Sequence, residues 1–428
     1  METFVESKEL RVSGARAILV GIVMPDGESF PEDQPLDELA ALAETAGLHV
    51  CERVLQKRTS PDPKTYCGKG KTEELRDLAG KLGANMLIFD NELKPSQQTA
   101  LTDATGIRIM DRTELILAIF AEHARTNQAK AAVSLAQLEY QLPRLRNLWS
   151  HLERQRGSLS AVGGAGERQI EVDRRILRDR MHKLRTEIAD IERRREVEVN
   201  RRSDLFQVAL VGYTNAGKST LMNALTDAGV YVADQLFATL DTRTRICEIG
   251  DHKLLLSDTV GFIRSLPHSL IAGFHATLAE AMHADLLLHV VDASHPAVDQ
   301  MIATVNGVLH ELEADKKRAL LVLNKADRIH SVAMSNYLRE QHPGAVLISA
   351  RSGAGLTELK ASITAIIEEG EIRKQMIVPA GNGKLLAFLK SNTKLIEERY
   401  EGEDVHVTFL VEPRFERKID DLLSGPAR

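Results

Sequence analysis

Gly212-Tyr213-Thr214-Asn215-Ala216-Gly217-Lys218-Ser219 is the stretch that decides the fold of this 428-residue chain. It has the form G-x-x-x-x-G-K-[ST], a loop whose backbone N–H groups close on phosphates. Its lysine reaches the outer phosphates and its terminal hydroxyl faces Mg²⁺. The run before it, Leu205 to Val211, is apolar enough for a buried parallel strand. After it, Ser219 and Thr220 open a helix expected to run to Ala228. A strand feeding a helix through a glycine-rich turn sets the phosphates at a helix N-terminus, where unpaired N–H groups and the dipole favour negative charge.

Two further elements follow in order. The apolar run Lys253 to Ser257 leads into Asp258-Thr259-Val260-Gly261. There Asp258 can hold Mg²⁺ through water, and the Gly261 N–H can approach a terminal phosphate. Asp285 to Val291 and Arg318 to Leu323 read as buried strands, the second delivering Asn324-Lys325-Ala326-Asp327 at its carboxyl end, the edge where open α/β sheets bind ligands. The Asp327 carboxylate can accept hydrogen bonds from N1–H and N2–H₂ of guanine, a donor pair that adenine lacks. Val346-Leu347-Ile348-Ser349-Ala350-Arg351 follows a final strand, and the Ala350 N–H is expected to cap the base. Together these elements predict a P-loop α/β domain that takes GTP and GDP.

Composition sets outer bounds. A chain this long is expected to divide into two to four domains, and its 43% apolar content is ample for buried cores. The longest apolar runs, such as Ala284 to Ala293, are too short to span a bilayer. Met1-Glu2-Thr3-Phe4-Val5-Glu6 lacks the basic start and apolar core of a secretion signal. Cys51, Cys67 and Cys247 are scattered and not at metal spacing, which favours a reducing cytoplasm and no zinc site. His289, inside an apolar strand, reads as a satisfied core histidine.

Charge is unevenly placed. Gln141 to Arg202 holds sixteen Lys/Arg against ten Asp/Glu, a basic surplus on a chain of net charge −6. Such a segment suits a polyanion, and equally a solvated helix laced with ion pairs. Apolar positions at Leu117, Phe120, Ala121, Ala124, Ala131, Leu135, Leu138 and Leu142 predict one long helix from Thr113 to about Leu148. Arg168 to about Arg202 predicts a second, joined to the first by Gly157 to Gly166 in an antiparallel hairpin. Its tip carries Arg154, Arg156, Gly163, Gly164 and Arg168, which suit close approach to RNA phosphates and bases. Residues 15–112 alternate apolar runs and helical stretches, as in a small α/β unit. Residues 371–428 read as a small α+β appendage. Gly68-Lys69-Gly70-Lys71-Thr72 is not a second P-loop, because Thr65 stands where its first glycine is needed and no strand precedes it. Weak ATP binding there stays an added option.

These motifs carry a resemblance. The P-loop, Phe237-Ala238-Thr239-Leu240-Asp241, Asp258-Thr259-Val260-Gly261-Phe262-Ile263 and Asn324-Lys325-Ala326-Asp327 resemble the translation-factor-related GTPases, specifically the HflX family. Gly68-Lys69-Gly70-Lys71, Glu153-Arg154-Gln155-Arg156-Gly157, Gly164-Ala165-Gly166-Glu167 and Glu171-Val172-Asp173-Arg174-Arg175 extend it through the N-terminal half. Ser158-Leu159-Ser160-Ala161-Val162 is less basic than the family's loop, and Ala165 stands where proline is usual. The resemblance implies four parts: an N-terminal α/β domain (1–112), a long helical hairpin (113–203), a P-loop GTPase domain (204–370) and a small α+β domain (371–428). It also implies a monomer that docks on RNA and protein of the large ribosomal subunit and splits or rescues stalled ribosomes, with no DNA partner. A GTP-gated assembly or silencing factor and an ATP-driven RNA helicase are the rival readings.

Phosphoryl transfer needs positioning, Mg²⁺ and charge neutralisation. Ser219 and Thr239 are the expected Mg²⁺ ligands, with Thr239 ordered by the third phosphate, and Lys218, Thr239 and Gly261 the expected catalytic groups. Phe262 stands where Ras-like enzymes place a water-orienting glutamine, so unassisted hydrolysis is expected to be slow. Asn215 allows two readings: a contribution to a K⁺ site between the phosphates, as in several related GTPases, or bracing of the loop.

Overall fold

The computed structural model describes residues 13–25, 36–145, 165–201, 205–226, 237, 243–264, 280–329 and 331–424. The first unit is a four-stranded, all-parallel sheet in the order β2-β1-β3-β4. Its strands are β1 (Arg16–Val23), β2 (His49–Lys57), β3 (Met86–Phe89) and β4 (Arg108–Asp111), interleaved with α1 (Asp37–Thr45), α2 (Lys69–Leu82) and α3 (Pro95–Thr105). β1 reads as a continuous apolar run because both its faces are covered. Ala17 and Leu19 enter one core with α1, whereas Ile18, Val20 and Ile22 enter another with Leu75 of α2 and Leu101 of α3.

The expected single helix over 113–148 is two. α4 (Arg112–His123) stops at Ala124, whose backbone is extended (φ −67, ψ 113), and α5 (Asn127–Gln141) restarts from Thr126, whose side chain accepts from Ala129 N. The apolar spacing runs on across this break, so periodicity alone could not show it. The two helices then go different ways. Leu115, Ile116, Ile119 and Phe120 of α4 pack into the core of the first sheet. Leu135 and Leu138 of α5 pack instead on Leu177, Met181 and Ile188 of α6 (Ala165–Arg201). The start of α5 lies beside Glu187 and Arg194, and Glu139 pairs with Arg185 at 2.7 Å, so α5 and α6 run antiparallel. The connecting residues Arg154, Arg156, Gly163 and Gly164 lie outside the described residues; Arg168 lies in the first turns of α6.

The second sheet has the order β10-β9-β8-β5-β7-β6, parallel except for the edge strand β6. Its strands are β5 (Phe206–Gly212), β6 (Arg243–Ile249), β7 (His252–Asp258), β8 (Leu286–Asp292), β9 (Ala319–Asn324) and β10 (Val346–Leu347). Its helices are α7 (Lys218–Thr226), α8 (Val298–Glu311), α9 (Val332–Gln341) and α10 (Leu356–Glu369). β5 sits between β8 and β7, the point where strand order reverses and a crevice opens at the carboxyl edge. Ala209 and Val211 of β5 share one buried cluster with Leu39, Ile116 and Phe120, so the first two units are joined by a common core. His289 is indeed buried at 4% exposure and is held neutral, its pKa pulled down to about 4 by burial and by Lys218. Its Nε2 has no hydrogen-bond partner among the described residues.

The last unit is an antiparallel sheet β11-β13-β12 built from β11 (Ile372–Pro379), β12 (Lys394–Glu401) and β13 (Asp404–Val411). α11 (Gly383–Asn392) and α12 (Glu416–Ser424) cover one face through Leu385, Leu389 and Ile419. No helix among the described residues is long and apolar enough to cross a membrane.

Asp111 ties the first unit together. Fully buried, it accepts from Leu93 N, Glu114 N, the Tyr140 hydroxyl and Arg144. Asp111→Ala strands these donors and is expected to lower the unfolding free energy by about 3 kcal/mol in urea titrations. A loss below about 0.5 kcal/mol, the size of an ordinary surface substitution, would contradict this role.

Candidate nucleotide site

The P-loop geometry is fixed by crowding. A Cβ on Gly212 (φ +148) would stand 2.1 Å from Val290 O on β8, and one on Gly217 (φ +93) 2.3 Å from Asn324 Nδ2. Neither position accepts a side chain, so the loop can lie flat across the sheet edge only with glycine there. Asn215 sits at the tip in the left-handed region (φ +58), and Thr214 and Ala216 beside it are buried. Lys218, Ser219 and Thr220 form the first turn of α7, whose amide groups face the loop's hollow.

Lys218 is buried at 6% exposure, and its Nζ donates to the carbonyls of Gly212 and Tyr213, each at 2.9 Å. Burial pulls its pKa down to about 8, with Asp258 pulling the other way. An arriving polyphosphate supplies the counter-charge that keeps the ammonium form. The Ser219 hydroxyl donates to Asp258 Oδ2 at 2.7 Å, and Asp258 is fully buried. A hydroxyl beside a carboxylate is a hard-oxygen donor pair, and such a pair would suit Mg²⁺. Thr259 is a bracket: its hydroxyl donates to Leu210 O at 2.7 Å and locks the end of β7 to β5. Ala238, Thr239, Leu240 and Asp241 lie outside the described residues, while Phe237 before them is buried.

At the base end, Asn324 braces two loops. Its Nδ2 donates to Ala216 O at 2.8 Å and its Oδ1 accepts from Ala350 N at 2.9 Å. The Ala350 N–H therefore meets Asn324, where the sequence reading had it capping the base. Lys325 adopts the left-handed region (φ +63) and pairs with Asp292 at 2.7 Å. Asp327 is exposed, and the Ser349 hydroxyl donates to its Oδ1 at 2.6 Å, holding the carboxyl below its ordinary range. It is thus an ionised acceptor facing the cleft. Ala326 donates to Ile348 O, which sets the two loops edge to edge, with Arg351 exposed beyond them.

Several residues of the site were not found by sequence reasoning. Asp292 ends β8 one strand away from Asn324, and a polar residue at a strand's carboxyl end was the available signal. Glu38, Asp90 and Arg112 had none. They come from three separate segments, yet Glu38 accepts from the hydroxyl of Tyr213 within the P-loop.

Comparison with known proteins supplies the family. Residues 33–121 match the family described as GTP-binding GTPase N-terminal, residues 123–202 the GTP-binding GTPase Middle Region, and residues 207–325 the 50S ribosome-binding GTPase family. GTPase HflX of Magnetococcus marinus is 45% identical over 93% of this chain and 92% of its own length. The chain belongs to the HflX family of GTPases. GTPase HflX of Escherichia coli K12 is 40% identical over 93% of each chain. Among solved structures, a GTP-binding protein from Sulfolobus solfataricus in complex with GDP is 24% identical. That match covers 82% of this chain and 98% of that one, with a TM-score of 0.42. As a member of the HflX family the chain binds guanine nucleotides and hydrolyses GTP on a P-loop α/β fold.

Gly217→Ala, which drives a methyl into Asn324, is expected to weaken GDP binding by about a hundredfold, near 3 kcal/mol, in calorimetric titrations. Unaltered affinity would mean that the loop and Asn324 do not jointly close on the nucleotide.

Proposed function

We propose that this HflX-family GTPase works on the large ribosomal subunit in the cytoplasm, splitting, rescuing or remodelling ribosomes under control of its nucleotide. The observation that carries this reading is the match of residues 207–325 to a family described as 50S ribosome-binding GTPases. The long helix α6 supports it with exposed Arg175, Arg178, Arg180, Lys183, Arg193 and Arg194, a basic surface suited to ribosomal RNA. Arg154, Arg156, Gly163, Gly164 and Arg168 are the proposed RNA contacts at the adjoining loop. The proposed organisation has breaks at residues 203 and 370, with α4 counted in the N-terminal unit whose core it enters.

In this reading the site residues divide the work. The amides of Gly212 to Thr220 cradle the phosphates, and Lys218 neutralises charge as the bond to the third phosphate breaks. Ser219 and Thr239 would hold Mg²⁺, which supplies further charge neutralisation when bound. Gly261 offers its N–H to the third phosphate, and Asn324, Lys325, Ala326, Asp327, Ser349, Ala350 and Arg351 frame the base. Phe262 is buried at 2% exposure and has no group that could orient water, so chemistry waits for a partner that reorders the segment. Asn215, at the loop's tip, is the residue through which K⁺ would act.

GTP hydrolysis should rise at least ~10-fold when purified large subunits are added. Asp327→Asn should abolish the stimulated reaction with GTP and restore it with xanthosine triphosphate. No stimulation by large subunits would overturn the ribosomal assignment. Exchanging Na⁺ for K⁺ should slow the stimulated rate; equal rates would leave Asn215 a loop brace only.

A further inference from the structure

Three segments surround the phosphates, and all three are fastened to the N-terminal unit. Tyr213 of the P-loop donates its hydroxyl to Glu38 Oε1 and accepts from Arg264 N at 2.7 Å. The Arg264 guanidinium donates to Asp90 Oδ2 at 2.8 Å and lies 3.7 Å from Glu38 Oε2. Arg112, buried at 3% exposure, donates to Asp90 at 2.8 Å, to Glu38 at 2.6 Å and to Arg264 O at 3.2 Å. Phe237, just ahead of Thr239, packs edge-on against Phe120 of α4 with ring centres 4.5 Å apart.

Two carboxylates and two guanidiniums thus form a neutral, largely buried quartet, and one of its members follows the D-x-x-G segment. Without Arg264, Glu38 and the deeply buried Asp90 would share Arg112 alone, a costly arrangement. The quartet therefore favours one position of Arg264. In that position Phe262 donates to Gly212 O at 3.1 Å and accepts from Thr214 N at 2.7 Å, a parallel bridge between the P-loop and the segment that must sense the third phosphate. The fit is tight: a Cβ on Gly261 would lie 2.7 Å from Thr214 Cγ2 and 3.1 Å from Lys218 Nζ. A third phosphate contacting both Lys218 and the Gly261 N–H has to be accommodated beside this packing.

We propose that Glu38, Asp90 and Arg112 are positioning residues that set the preference between GDP and GTP. By holding Arg264 and Tyr213 they keep Gly261 and Phe262 bridged to the P-loop, an arrangement a diphosphate tolerates and a third phosphate has to open. The inference rests on the GTPase assignment and is independent of the ribosome. By linkage, whatever draws the N-terminal unit away from Arg264 raises the affinity for GTP, and GTP loosens that unit in return.

The test uses the full chain with Asp90→Asn, Arg264→Gln and the double variant. Dissociation constants are measured by calorimetry for GDP and for a nonhydrolysable GTP analogue. Each single variant should raise the ratio of analogue to GDP affinity by about fivefold or more, and the double should add little beyond either. Affinities for both nucleotides falling together, or a ratio equal to that of the unaltered chain, would overturn the proposal. Should a charge variant fail to fold, Tyr213→Phe reads the same ratio with one oxygen removed and no volume changed; an unshifted ratio there overturns it equally.

Discussion

Two guanidiniums shared between two carboxylates, at the seam of two α/β sheets, hold the architecture in register. Arg112 opens α4 and Arg264 lies beyond the end of β7, yet both bond to Asp90 and both lie against Glu38. Buried charges of this kind add little net stability compared with apolar packing, but they penalise every arrangement in which one partner is missing. The apolar cluster spanning Leu39, Phe120, Val211 and Phe262 supplies adhesion between the sheets, and the quartet selects one docking geometry. That geometry places α1 and α4 directly behind the phosphate-binding segments, so a movement of one side is felt on the other.

The nucleotide site shows why crowding and charge do different work. Gly212 and Gly217 are demanded by neighbouring atoms on β8 and β9. Asn324 joins the phosphate loop to the base loop through Ala216 and Ala350. These contacts tie the base end and the diphosphate end of the site into one unit. The third-phosphate end differs, since Phe262 is bonded to the P-loop there and stands where an orienting side chain is used in Ras-like enzymes. A site rigid at one end and latched at the other suits a switch better than a rapid unassisted hydrolase.

Much of the site was legible in the sequence because its motifs are contiguous and chemically demanding. The loop from Gly212 to Ser219, the Asp258 to Gly261 turn and the Asn324 to Asp327 loop each follow an apolar strand, and their order fixes the fold. The C-terminal strand β12 is mostly charged over Lys394–Glu401, and its pairing depends on β13, not on its own pattern. The break between α4 and α5 was missed because apolar residues recur at helical spacing across it, while the stop lies in the extended backbone at Ala124 and the restart in the Thr126 cap. Glu38, Asp90 and Arg112 were invisible for a third reason. Each is an ordinary surface-type residue in its own segment, and only the folding of both sheets makes them neighbours of Tyr213 and Arg264.

The most direct measurement is amide hydrogen exchange by mass spectrometry on the full chain, saturated either with GDP or with a nonhydrolysable GTP analogue. If the N-terminal unit reads the third phosphate through Arg264 and Phe237, peptides covering 36–46 and 108–121 should exchange faster with the analogue than with GDP. Identical exchange in those peptides, with differences confined to 205–226 and 243–264, would contradict that coupling.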